Sequence, residues 1–75
     1  MHLNEIKELR DQAPFKPFAL ELDNGRRVNV PHGDCLFIPP GGRFVIVADE
    51  QHLDIIEPSH VSAVVLSNGP KIGLP

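Results

Sequence analysis

Between residues 18 and 30 the chain alternates apolar and polar side chains on both sides of an Asp23-Asn24-Gly25 step, a pattern that specifies a tight β-hairpin. Phe18, Leu20 and Leu22 share one face of the first strand, and Val28 and Val30 share one face of the second. Two registers compete. A two-residue Asn24-Gly25 turn sets Val28 opposite Glu21 and Asn29 opposite Leu20, which mixes polar and apolar groups on each face. A three-residue loop with Gly25 left-handed in a bulge pairs Leu22 with Arg26, Leu20 with Val28 and Phe18 with Val30. A slip of one residue turns every side chain to the other face, so the second register is preferred. It also sets Glu21 beside Arg27 on the outside, a contact worth only a few tenths of a kcal/mol.

The remaining segments are short and clearly punctuated. Leu3, Ile6, Leu9 and Ala13 recur at helical spacing, which predicts a helix over 4–12 with Asn4 as N-cap and Pro14 as its stop. So short a helix must dock on an apolar surface to persist. Strands are expected at 35–38, 43–48, 52–56 and 61–66. Residues 43–48 are apolar on both faces and should be central, and in 52–56 Leu53 and Ile55 alternate against Asp54. Pro31-His32-Gly33-Asp34, Pro39-Pro40-Gly41-Gly42 and Asp49-Glu50-Gln51 read as connections, and Glu57-Pro58-Ser59-His60 as a single 3₁₀-like turn. Residues 1–66 form one domain in this reading, and 67–75 form a flexible C-terminal tail.

One helix followed by short strands leaves sheet edges to be managed. The expected fold is mainly β with an N-terminal helix: a small SH3-like or Sm-like, partly closed barrel of five to six antiparallel strands. An open antiparallel sheet with one helix packed on it is the alternative. At 75 residues the net core stability is on the order of 3–5 kcal/mol. Cys35 is the only cysteine, so no disulfide forms within the chain, and a lone thiol points to a reducing, cytoplasmic setting. The first eight residues show neither a basic nor an apolar signal-peptide region, and no apolar run is long enough to span a bilayer.

Candidate chemistry is thin. His32, Asp34 and Cys35 follow one another closely, and with His52, Asp54 or His60 folded near them a zinc site is conceivable. No CxxC or HxxxH spacing supports it, and the plain reading is a turn with Asp34 accepting backbone N–H bonds and Cys35 starting a buried strand. A Cys35–His32 nucleophile and base pair is disfavoured for the same reason: Cys35 leads into Leu36-Phe37-Ile38. Arg26, Arg27, Arg43, Lys16 and His60 are candidates for a modest anion-binding patch, although Glu21, Asp23 and Asp49 interleave with them. The net charge of −3 and the absence of Trp and Tyr disfavour nucleic acid. No enzyme, cofactor or membrane association is expected.

Two resemblances extend this reading. The Pro14-Phe15-Lys16-Pro17-Phe18 entry, Asp23-Asn24-Gly25-Arg26, Val30-Pro31-His32-Gly33-Asp34 and Gly42-Arg43 resemble a group of short, uncharacterised bacterial proteins. The order of helix, meander, short turn and last strand is similar to the Sm-like RNA-binding proteins, including bacterial Hfq. In that likeness residues 59–65 match the family's final turn and strand, and His60 alone carries over to the RNA pore, because Ser59 stands where a lysine is expected. The function expected is a non-enzymatic module for protein interaction or self-association through strand edges, with Sm-like RNA binding as the alternative.

Overall fold

The computed structural model describes residues 3–66 and 71–73. In chain order these form α1 (Leu3–Arg10), β1 (Phe18–Leu22), β2 (Arg27–Val30), a 3₁₀ turn (Gly33–Cys35), β3 (Leu36–Phe37), β4 (Val45–Ala48), β5 (Leu53–Ile56), a second 3₁₀ turn (Pro58–His60), β6 (Val61–Leu66) and β7 (Lys71–Gly73). The fold is mainly β with one helix. The strands make two antiparallel sheets, ordered β2-β1-β6-β7 and β3-β4-β5.

The hairpin adopts the bulged register. Phe18 pairs with Val30, Leu20 with Val28 and Glu21 with Arg27. The Leu22 N–H donates to the Arg26 carbonyl at 2.8 Å, and Gly25 takes a φ of 88°. The Asn24 side chain fixes the loop by accepting from the Arg26 N–H at 3.0 Å. On the solvent side Arg27 Nε reaches Glu21 Oε2 at 3.3 Å.

Chain connections carry the backbone between sheets. β2 passes through Pro31, His32 and the 3₁₀ turn into β3 of the second sheet, and the Pro58–His60 turn returns the chain from β5 to β6. Leu3 and Ile6 of α1, Phe18, Leu20, Val28, Val30, Val61 and Val64 of the first sheet, and Leu36, Val45, Val47 and Ile56 of the second form one buried cluster. Burial of these side chains supplies the main driving force. Arg26 Nη2 meets Asp54 Oδ1 at 2.9 Å and so ties the hairpin loop to β5.

Several boundaries differ from the sequence expectation. The helix covers Leu3–Arg10, not 4–12, and Asn4 lies inside it. Ala13, expected on the apolar stripe, is exposed. The cause is Pro14, which pushes Ala13 out of the α region. The Leu9 carbonyl that the Ala13 N–H would have served accepts instead from Gln12 Nε2 at 2.8 Å. The strand expected at 35–38 shrinks to Leu36–Phe37, and Cys35 ends a 3₁₀ turn, half-buried. The strands expected at 43–48 and 52–56 begin at Val45 and Leu53, respectively. Residues 71–73, read as part of a flexible tail, are β7, paired with Ala63 to Val65 of β6; the rest of that tail lies outside the described residues. Among the described residues the strands number seven, against the five to six expected.

Two glycines fix loop geometry for different reasons. Gly25 has a positive φ but open space around the Cβ it lacks; at Gly42, with φ 66°, a Cβ would lie 2.8 Å from Leu3 Cδ2. Gly25→Ala should cost about 1–2 kcal/mol from backbone conformation alone. Gly42→Ala should cost more, because the core-buried Leu3 must also move. Urea unfolding of the two variants checks the order, and a Gly25→Ala cost equal to or above that of Gly42→Ala would contradict it.

Candidate functional site

The second sheet has two apolar faces, and only one of them is covered. Along β4 burial alternates: Val45 and Val47 are buried, Ile46 and Ala48 half-buried. Cross-strand partners share a face. Leu36 opposite Val47 and Ile56 opposite Val45 complete the inner face. On the outer face Phe37 lies opposite Ile46, Ile46 opposite Ile55, and Ala48 opposite Leu53. This row faces outward: Phe37 is 57% exposed, Ile55 61%, Leu53 66%, and Phe44, just before β4, 42%. At about 200 Å² for a large side chain, these exposures amount to roughly 400 Å² of apolar surface. Contiguous patches of that size on a monomer are often functional.

The inner position of β5 is the one that holds a charge. Asp54 sits opposite the buried Val47 and is satisfied at its margin by Arg26. Leu53 and Ile55, which alternate against Asp54 in the sequence, thereby turn outward. Sequence reasoning did not single out Phe37, Phe44, Leu53 or Ile55 as a surface. The available signal was phase: once Val45 and Val47 face inward, the even positions of β4 and their cross-strand partners must face out.

The polar candidates separate into three places. His32 and Cys35 line an open cleft of about 430 Å³ together with Pro31, Asp49, Glu50 and Gln51. His52 Nδ1 lies 3.5 Å from Asp49 Oδ1 at its margin. The bond between His32 and Cys35 is between backbones, the Cys35 N–H donating to the His32 carbonyl at 3.1 Å. Asp34 is exposed within the same 3₁₀ turn. Among the described residues no three His, Cys, Asp or Glu side chains come together as a metal-binding group. A second open groove, about 470 Å³, runs past Pro17, Ala19, Asn29, Pro31 and Val65 on the first sheet.

His60 stands elsewhere, at the hairpin loop, where its carbonyl accepts from the Asp23 N–H at 2.9 Å. Arg26 and Arg27 are near it in the fold, but each candidate cation there has an acidic partner: Asp54 for Arg26, Glu21 for Arg27, and Glu57 at 3.3 Å for His60. That is a mixed-charge surface. Arg43 lies apart, in the segment entering β4, with no ion-pair partner among the described residues.

Comparison of the chain with protein-family models, curated proteins and solved structures finds no match in any of the three. Among the described residues no helix is long and apolar enough to cross a membrane.

The β4–β5 loop carries its own electrostatic signature. The Gln51 and His52 N–H groups donate to Asp49 Oδ1 at 2.8 and 2.7 Å. These bonds, Gln51's first, hold the Asp49 carboxyl below its ordinary value against the opposing effect of desolvation. A depressed folded pKa means that the loop's bonds are at full strength above the unfolded value and weaken as pH falls through the folded value. Carboxyl-carbon NMR titration should therefore place the Asp49 midpoint below that of an unstructured Asp peptide. A midpoint at or above the peptide's would contradict the loop geometry.

Proposed function

We propose that this chain is a small non-enzymatic interaction module whose working surface is the outer face of β3, β4 and β5. The observation that carries the reading is the cross-strand row Phe37–Ile46–Ile55, flanked by Leu53 and Phe44, in a domain of marginal size that leaves it uncovered. Aromatic and branched apolar side chains held on a pleated sheet are rigid, so covering them costs little conformational entropy. The two strands that look most apolar in the sequence, β4 and β6, are both flanked by neighbours. That moves the contact surface from strand edges to a face.

We take the two sheets as walls of a partly closed, SH3-like or Sm-like barrel. Support comes from β1 pairing with both β2 and β6, and from the 3₁₀ turn that leads β5 into β6. RNA binding draws less support. Arg26, Arg27 and His60 are ion-paired or poised beside carboxylates, and the chain carries a net charge of −3.

A photo-crosslinking residue tests the module reading in cells. Placed at Phe37 or Leu53 it should yield discrete protein adducts that are absent when it is placed at the exposed Asn29 or Lys16. No adducts from the outer face, or equal adducts from all four positions, would overturn the reading.

A further inference from the structure

From the pattern of charge around the apolar face, we infer that its occupant is a second copy of this chain, packed face to face with the two β4 strands antiparallel. The inference rests on the module reading above and narrows it to one partner. β4 is bracketed by opposite charges: Arg43 and Phe44 enter it, and Asp49 and Glu50 leave it. Neither Arg43 nor Glu50 has an ion-pair partner among the described residues. A twofold axis lying between the two faces, perpendicular to β4, seats Ile46 over the partner's Ile46. It brings the Arg43 end of each β4 against the Asp49-Glu50 end of the other. A face with unlike charges at its two ends is self-complementary under that operation, and a twofold contact requires self-complementarity.

Size agrees with the same occupant. Burying the four exposed apolar side chains on both copies, with Ile46, Ala48 and the charged rim, removes about 800–1,000 Å² in total. That falls below the size of a stable interface, about 1,200 Å² and up, and in the range of weak encounters, where association is reversible and concentration-dependent. The sheets can approach closely because the row Phe37–Ile46–Ile55 has no charged side chain within it.

The test is sedimentation velocity of the full chain from about 10 µM to 1 mM, a window that brackets weak interfaces. The wild type should shift from monomer toward dimer across it. Ile55→Lys, at an exposed position, should abolish the shift while leaving the circular-dichroism melt cooperative. R43E alone and E50R alone should each weaken dimerisation by about five-fold or more, since each places like charges together twice in a twofold dimer. The double variant R43E/E50R should recover it, and so should an equimolar mixture of the two single variants. The charge-reversal arm stands even if Ile55→Lys fails to fold.

A dimer indifferent to all these substitutions would overturn the face-to-face arrangement in favour of a strand edge. Rescue by the double variant but not by the mixture would overturn the antiparallel twofold pairing. A wild type that stays monomeric at 1 mM would overturn the second copy as occupant. In that case outer-face crosslinks to a different protein leave the module reading standing, and their absence removes both.

Discussion

Strand β1 is hydrogen-bonded along both edges, to β2 through the Asp23-Asn24-Gly25 loop and to β6 from 39 to 48 positions away. Local pairing costs little loop entropy, whereas the closure to β6 must be offset by buried apolar contacts. Leu20 stands at that junction, fully buried, with Val28 on one side and Val64 on the other. Because β1 holds residues 27–30 and 61–66 in one sheet, the intervening chain has to leave that sheet and return. The two 3₁₀ turns mark the exits, and the three-stranded sheet is the excursion between them. The helix and Gly42 then close over the same core from α1's Leu3.

That arrangement explains why the outer face of the second sheet is apolar without being covered. One short helix is the only non-strand layer among the described residues, and its Leu3 and Ile6 join the common core. The strands β3, β4 and β5 are shared between two demands: the inner residues complete the domain's core, and the outer residues remain available. An uncovered apolar row carries a solubility cost, which makes it informative about what the chain does. The polar clusters carry no comparable signal, since the cations of the hairpin region are matched by carboxylates and His32 meets Cys35 only through the backbone.

Much of the fold was legible in the sequence, and the reasons for the rest are physical. The hairpin register followed from strict alternation and one Asn-Gly step, because period-two patterning leaves no freedom once one face is buried. The 3₁₀ turn at Pro58–His60 and the central place of β4 were also readable. β7 was not, because Gly and Pro around residues 71–73 mimic a tail, and only the unpaired edge of β6 reveals a place for it. The outer face was hidden by a different ambiguity. An apolar-on-both-sides strand is equally consistent with burial between layers and with one covered and one open face, and sequence periodicity cannot tell these apart. Leu53 and Ile55 compounded it, since alternation against Asp54 looks like a core pattern until Arg26 supplies Asp54 with a partner across the sheets.

The proposed function requires contact through the face of the three-stranded sheet. Backbone amide NMR spectra recorded on serial dilution report it residue by residue. Concentration-dependent shifts should cluster at Phe37, Phe44, Ile46, Ala48, Leu53 and Ile55 and fade toward β1, β2 and α1. Shifts confined to the free edges of β2 or β7, or to the His32–Cys35 cleft, would contradict the account.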